Sequence, residues 1–175
     1  MNVSEFEDSY EDVREAMDMD GIKSVVLETP VSQVMARDPL VVDTDVTVVA
    51  AVNAMNEGRT GCVLVEKHGK LVGIFTERDV LRKVIFRDGN RAWKVEAVMT
   101  PRPETLPPDA SVAYALNKMS VDGYRHIPIV DRAGKAVGVV SVKDIVHLVV
   151  ECFPADILNL PGDPDKAISR NEDGA

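Results

Sequence analysis

Two short segments of this chain combine a hydroxyl, a cation and a carboxylate at a spacing that favours binding of an anion or a sugar. They are Gly73-Ile74-Phe75-Thr76-Glu77-Arg78-Asp79 and Gly138-Val139-Val140-Ser141-Val142-Lys143-Asp144. Each is typical of a strand end that enters a helix, where backbone N–H groups and the positive end of the helix dipole attract anions. The aspartate can accept from two ribose hydroxyls, while the neighbouring hydroxyl and cation reach phosphate.

The same residues also have a purely structural interpretation. A hydroxyl residue followed three positions later by an acid, as in Thr76 with Asp79 and Ser141 with Asp144, is what a helix start needs for its own cap. A single instance would favour the cap. Two instances, each with a preceding glycine and a cation directly before the aspartate, favour a ligand site, and both interpretations stay open at this point.

Both segments belong to a longer internal repeat. Positions from Val34 to Met55 match Val98 to Met119 at a shift of 64, and positions from Gly58 to Asp79 match Gly123 to Asp144 at a shift of 65. A unit of this period buries its apolar face against its own copy. With two copies, we predict a pseudo-twofold pair rather than a solenoid.

Each copy predicts the element order β-α-β-β-α, so that the fold class is α/β, of the α+β kind. The predicted elements of the first copy are a strand at Leu40 to Val42, a helix capped by Thr47, strands at Cys62 to Val65 and Leu71 to Phe75 around a His68-Gly69 turn, and a helix from Glu77. Those of the second copy are a helix capped by Ser111, strands at Ile127 to Val130 and Ala136 to Val140, and a final helix containing Ile145 to Val150.

Outside the copies, periodicity predicts an amphipathic acidic helix from Ser4 to Met19 and a short β-branched strand from Ile22 to Leu27. The predicted domain boundaries are residues 1–28 for this helix and strand, 29–86 for the first repeat, 87–94 for a linker, 95–152 for the second repeat and 153–175 for a tail.

Composition and charge exclude several classes of function. The net charge is −9, and most of it lies in residues 1–20, where eight acidic residues stand against one arginine. An acidic chain without a basic patch argues against nucleic acid as a partner. No window approaches the roughly 18 apolar residues of a membrane span, and Cys62 and Cys152 suit buried thiols, so we expect a cytoplasmic protein. Its histidines and cysteines lack metal-ligand spacing, which predicts no metal site.

The doubled pattern, closed in each copy by G-hydrophobic-hydrophobic-[ST]-x-x-D, resembles the CBS domain pair, or Bateman module. The resemblance covers residues from Val31 to Glu151 and includes Arg125-His126-Ile127-Pro128, which is similar to the family's strand ending in a proline. It implies two CBS folds packed through their sheets around two pseudo-symmetric clefts. In this family such clefts bind regulatory adenosine ligands, namely AMP, ADP, ATP or S-adenosylmethionine, and no further cofactor is implied.

The resemblance assigns one set of residues to each cleft. In one cleft it implies that Asp144 holds ribose beside Ser141, that Arg125, His126 and Lys143 contact phosphate, and that Met35, Ala36 and Leu40 wall the adenine. The matching set of the other cleft is Asp79, Thr76, Arg78, Thr60, Met99, Thr100 and Glu104.

The first copy departs from the family pattern. It has Thr60-Gly61 and Val63 where the second copy has Arg125-His126 and Pro128. The Asp79 cleft therefore lacks two phosphate contacts, which Arg78 or Arg82 would replace in part. We expect the Asp144 cleft to bind more tightly.

The resemblance implies a stand-alone sensor that binds an adenosine ligand between its halves. It would signal occupancy to an unidentified protein target or within its own homodimer, which forms through the helices. Two alternatives stay open. One is a ligand-free dimerisation or scaffold domain whose motifs serve as caps, and the other is an enzyme acting on a nucleotide with His126 as an acid.

Overall fold

The computed structural model describes residues 19–35, 37–85 and 92–152 of the 175-residue chain. In these ranges the predicted fold class is confirmed, since helices and sheets alternate in two tandem units. Residues 4–18 of the predicted acidic helix and the predicted tail lie outside the described residues. The described helices are all too short or too polar to cross a bilayer.

The strand predicted at Ile22 to Leu27 is wrong, because these residues belong to helix α1, Met19–Glu28. This helix packs against the helix at Val112–Val121, and its Val25 and Val26 are half-buried. Packing of this kind overrides the weak strand preference of β-branched residues, which depends strongly on context.

The first repeat forms its elements in the predicted order. They are the single turn α2 (Val31–Val34), β1 (Val41–Asp43), α3 (Val48–Gly58), β2 (Cys62–Lys67) and β3 (Lys70–Thr76). Strand β1 is parallel to β2, and β2 is antiparallel to β3 across a turn at which His68 and Gly69 both have positive φ, as in a type I′ turn. Thr47 caps α3 as predicted, because its side chain accepts from the Ala50 N–H at 3.2 Å.

The second helix of the first repeat is irregular. Helix α4, Glu77–Asp79, continues as a π-helical segment, Val80–Val84. A 3₁₀ turn at Val95–Ala97 follows, and then strand β4, Thr100–Pro101, which is antiparallel to β3 and extends the sheet to the order β1-β2-β3-β4.

The second repeat contains α5 (Val112–Val121), β5 (His126–Val130), β6 (Ala136–Ser141) and α6 (Val142–Cys152). Its counterpart of β1 is reduced to one parallel bridge, from Leu106 to Ile129. Ser111 precedes α5 as predicted, but its side chain accepts no capping hydrogen bond from the described residues. The reason is a tight first turn, in which the Tyr114 N–H donates to the Ser111 carbonyl instead.

The segment that leads into the first repeat packs on the second repeat. Val31 is fully buried in the core of the second repeat, and its N–H donates to the Ala110 carbonyl at 2.8 Å. The Val112 N–H donates in return to the Thr29 carbonyl, also at 2.8 Å. Residues 29–34, the first lead-in segment, therefore complete a core to which they are not adjacent in sequence.

The same arrangement recurs 64 residues later with the repeats exchanged. Val95 is fully buried in the core of the first repeat and donates to the Val46 carbonyl at 2.7 Å, while the Val48 N–H donates to the Trp93 carbonyl at 2.8 Å. Residues 93–98 are thus the second lead-in segment. Each repeat closes its core with a segment that precedes the other.

The repeats also meet face to face through their sheets. Cys62, Leu64 and Ile74 form a buried cluster with Ala136 of β6, against which Val139 packs. Alternate residues of β2 face the core of the first repeat, so β2 is buried on both sides and has a continuous apolar sequence. The space between the repeats is therefore bounded by two packed sheets.

Substitution of Val31 by alanine should weaken the second repeat more than the first. Removing two buried methyl groups costs about 2 kcal/mol of unfolding free energy, and the lost contacts lie in the core around β5. Hydrogen exchange should accelerate most in β5 and β6 for Val31→Ala, and in β2 and β3 for Val95→Ala. Acceleration of the same strands in both variants would contradict the exchange of lead-in segments.

Candidate functional site

Both Ser/Thr-x-x-Asp motifs form reciprocal helix caps. At the start of α4, the N–H and Oγ1 of Thr76 donate to Asp79 Oδ2 at 2.9 and 2.8 Å, and the Asp79 N–H donates back at 3.3 Å. At the start of α6, the N–H and Oγ of Ser141 donate to Asp144 Oδ2 at 2.7 and 2.6 Å, and the Asp144 N–H donates back at 3.4 Å. Each cap uses one carboxylate oxygen and leaves the other for a second role.

The second carboxylate oxygen distinguishes the two aspartates. Asp79 Oδ1 lies 2.7 Å from Lys83 Nζ and accepts from Thr100 Oγ1 at 3.3 Å, and Asp79 is only 7% exposed. Among the described residues, none donates a hydrogen bond to Asp144 Oδ1, and Asp144 is half-buried. Asp144 therefore has one carboxylate oxygen to which no described residue donates, whereas both oxygens of Asp79 have partners.

A cavity of about 430 Å³ lies beside Asp144, between the two repeats. Its volume is within the range of small-molecule sites. The second repeat contributes His126, Val139, Ser141, Lys143, Asp144 and His147 to its lining, and the first repeat contributes residues 37–40 and 58–62. The cavity thus depends on the packing of both repeats.

Most residues predicted for the Asp144 cleft line this cavity. They are Leu40, His126, Ser141, Lys143 and Asp144. Met35 lines a second cavity, of about 500 Å³, which shares Asp144 and His147 with the first. Arg125 is exposed and does not line the cavity, and Ala36 lies outside the described residues.

Of the residues assigned by resemblance to the Asp79 cleft, Thr76 and Thr100 donate hydrogen bonds to Asp79, and three others have different surroundings. Thr60 lines the cavity at Asp144 instead, because the start of β2 lies close to the second repeat. Glu104 forms an ion pair with Lys118 at 2.8 Å, and Arg78 is exposed and donates to the Gly123 carbonyl at 3.3 Å. The cavity at Asp144 therefore contains one residue, Thr60, that the resemblance assigned to the other cleft.

Each motif glycine is explained by the close approach of a methionine. A Cβ atom added to Gly138 would overlap the Sδ atom of Met35, and one added to Gly73 would overlap the Sδ atom of Met99. Both methionines directly follow a lead-in segment, so they reach the motif of the other repeat. This packing requires glycine at both positions.

Gly61 and His126 occupy equivalent positions of the two repeats and meet across the pseudo-twofold axis. A Cβ atom added to Gly61 would lie 3.1 Å from Cε1 and Nε2 of the His126 ring. Burial lowers the pKa of His126, against the raising effect of the Glu77 and Asp144 carboxylates. The ring is therefore neutral at pH 7 and can both donate and accept in the cavity.

The cavity also contains a buried thiol. Cys62 lines the cavity, but burial raises the pKa of its thiol to about 11, so that it stays protonated at neutral pH. No three His, Cys, Asp or Glu side chains of the described ranges form a cluster that could hold a metal ion.

Sequence reasoning missed four charged or titratable residues of the cavity, namely Arg37, Asp38, Arg59 and His147. His147 lies three residues after Asp144 on α6, so helical spacing could have identified it. Arg59 ends α3 in the left-handed conformation, and Arg37 donates to the Gly58 carbonyl at 3.3 Å. Contacts within the first repeat hold these two arginines, but the cavity that they line forms only where the repeats pair, which has no local sequence signal.

The family model of the CBS domain matches residues 31–85 and 95–151. An uncharacterized 17.7 kDa protein from Acidianus ambivalens is 33% identical over 126 residues, which are 71% of this chain and 76% of that protein. The CBS domain-containing protein CBSCBSPB5 of Arabidopsis thaliana is 31% identical over 169 residues, which are 89% of this chain but 31% of that protein. This chain thus spans about a third of the Arabidopsis relative.

Among solved structures, the CBS domain pair of protein MJ0100, in complex with 5′-methylthioadenosine and S-adenosyl-L-methionine, matches with a TM-score of 0.62 at 25% identity. The match covers 69% of this chain and 99% of that one. The predicted tandem repeat is therefore confirmed by sequence and by structure.

Stability should fall as pH decreases through the lowered pKa of His126. The unfolded chain, with a histidine pKa of about 6.5, binds this proton before the folded chain does, so protonation favours unfolding from about pH 7 downward. The His126→Gln variant should lose this contribution, whose slope cannot exceed about 1.4 kcal/mol per pH unit. Urea unfolding of both proteins between pH 7.5 and 5.5 measures it, and parallel curves would contradict the lowered pKa.

Proposed function

Because the chain belongs to the CBS domain family, we propose that it is a regulatory module that binds an adenosine-containing ligand in the cavity at Asp144. The observation that carries the proposal is the free Oδ1 of Asp144 at the edge of a cavity between the repeats. This oxygen can accept from ribose hydroxyls while Oδ2 continues to cap α6. Ligand binding therefore does not require the helix to lose its cap.

The charges of the cavity support a phosphorylated ligand. Arg37, Arg59 and Lys143 supply three cations, against the carboxylates of Asp38 and Asp144. The three cations outnumber the two carboxylates, which favours an anion in this cavity. AMP, ADP and ATP satisfy this condition.

A solved relative supports the adenosine moiety. The domain pair of MJ0100 binds 5′-methylthioadenosine and S-adenosyl-L-methionine, which share adenosine but carry no phosphate. Adenosine is thus the common element of the proposal, and S-adenosylmethionine remains a candidate ligand beside the nucleotides.

A scaffold role is the second candidate, because the hydrogen bonds within both motifs account for a helix cap by themselves. We do not assign catalysis to the cavity, since the neutral His126 is a weak proton donor at pH 7 and the Ser141 hydroxyl donates to Asp144.

We further propose a cytoplasmic location and a protein target that responds to ligand occupancy of the cavity at Asp144.

Asp144→Ala should weaken binding of the preferred adenosine ligand by about tenfold to 150-fold, equivalent to about 1.4–3 kcal/mol, because a charged acceptor for ribose is lost. Isothermal titration with AMP, ADP, ATP and S-adenosylmethionine measures the change. Loss of the cap alone should lower the unfolding free energy by about 1 kcal/mol.

Thr47→Ala is the matched control for this experiment. Thr47 caps α3 outside the cavity, so its loss should cost similar stability and leave binding unchanged. If none of the four compounds binds the wild-type protein at millimolar concentration, and Asp144→Ala changes stability alone, the scaffold role is favoured instead.

We also propose that the module forms a homodimer through its second helices. Leu81 and Ile85 at the end of the first repeat are 59% and 54% exposed, and Val142 and Val146 on α6 are 42% and 54% exposed. Leu81 and Val146 are equivalent positions of the two repeats, so the apolar surface follows the pseudo-twofold symmetry. A second copy could cover both patches at once.

Val146→Asp should shift the dimer towards the monomer, because a buried unpaired carboxylate disfavours an apolar interface. Sedimentation at micromolar concentration measures the change, with Val41→Asp on the exposed face of β1 as a control that should remain dimeric. A monomeric wild-type protein under these conditions would exclude the dimer.

A further inference from the structure

Asp79 and Asp144 differ in the partners of their second carboxylate oxygen, Oδ1. At Asp144 no described residue donates to it, whereas at Asp79 the Lys83 ammonium group lies 2.7 Å away. We propose that Lys83 is a built-in occupant that closes the Asp79 cleft, so that each chain binds one adenosine ligand, at Asp144. This inference rests on the proposed function and specifies how many of its clefts are available.

Lys83 is held by more acceptors than its ammonium group has hydrogens. Besides Asp79 Oδ1, Nζ lies 2.9 Å from the Val98 carbonyl, 3.3 Å from the Met99 carbonyl and 3.4 Å from Thr100 Oγ1. All three N–H donors are therefore engaged with fixed groups of the protein. The Lys83 side chain is 38% exposed, but its ammonium group is directed at these four protein acceptors.

The backbone supports this placement. Lys83 follows Asp79 by four residues, within the π-helical segment Val80–Val84 that replaces a regular helix. Such segments frequently occur at functional sites. The corresponding residues of the second repeat lie in α6, which is a regular α-helix as far as Cys152.

The second repeat lacks both groups that engage the free oxygen. The residue equivalent to Lys83 is Leu148, which packs against the apolar core of the second repeat, and the residue equivalent to Thr100 is Ala36 in the sequence. Neither leucine nor alanine has a side-chain donor. The repeats thus differ at the two positions that decide whether the aspartate is open.

Binding of a ribose at Asp79 would be unfavourable, because existing hydrogen bonds would have to break. The ribose hydroxyls would have to displace a charge-assisted hydrogen bond between a cation and a carboxylate side chain that is only 10% exposed. Displacement would also take the ammonium group from three other acceptors. Asp79 Oδ2 is already occupied by the Thr76 cap, so neither oxygen is available.

Replacement of Lys83 by the residue of the other repeat tests the proposal. Wild-type protein, Lys83→Leu and Lys83→Met are titrated calorimetrically with AMP, ATP and S-adenosylmethionine, after circular dichroism has verified folding. The wild type should bind one equivalent and either Lys83 variant two. Lys70→Leu, which removes an exposed lysine of the same repeat, should still bind one.

The outcomes separate this inference from the proposed function. Closure by Lys83 would be overturned if the wild type bound two equivalents of ligand. It would also be overturned if the wild type and both folded Lys83 variants each bound one. Either result would leave the proposed Asp144 site intact. Binding to a Lys83 variant but not to the wild type would support closure and contradict binding at Asp144. No binding to any protein would overturn both.

If both Lys83 substitutions prevent folding, Asp79→Asn in the otherwise unchanged chain replaces them. If Lys83 closes the cleft, Asp79 does not contact the ligand. The affinity of this variant for the ligand should then equal that of the wild type within twofold. A tenfold loss of affinity would overturn the inference.

Discussion

The exchange of lead-in segments is the constraint on which the rest of this structure depends. Val31 closes the core of the second repeat and Val95 closes the core of the first, and both are fully buried. Neither core is complete without chain from the other repeat. The cavity between the repeats is therefore positioned by core packing, which is rigid, rather than by a loose contact between two independent domains. The lining residues from both repeats are therefore held at fixed relative positions.

The capping role and the binding role of the Ser/Thr-x-x-Asp motif are not exclusive. In both repeats, one carboxylate oxygen holds the start of the helix and the other remains for a different partner. The cap orients the aspartate before any ligand arrives, which reduces the conformational cost of binding. The repeats share the cap but differ in the partners of the second oxygen, so one site could change without loss of the helix that it caps.

The sequence allowed the element order, the cap at Thr47 and the position of both motifs to be predicted, because these depend on local spacing. It did not allow the helical state of Ile22 to Leu27 to be predicted, since packing against another helix decides that segment. Thr60 and Arg37 line a cavity that spacing could not assign to them. Periodicity identifies which residues are buried but not which part of the chain covers them, and the exchanged lead-in segments determine the latter.

The contact of Gly61 with His126 shows what covalent fusion of the two repeats permits. In an assembly of two identical copies, this position would meet itself across the axis. Two histidines would collide, since even a Cβ atom at Gly61 approaches the ring to 3.1 Å, and two glycines would leave a gap. A single chain escapes this restriction because each half can mutate separately. Broken symmetry at the axis is thus a property that a duplicated gene can acquire and a symmetric homodimer of single repeats cannot.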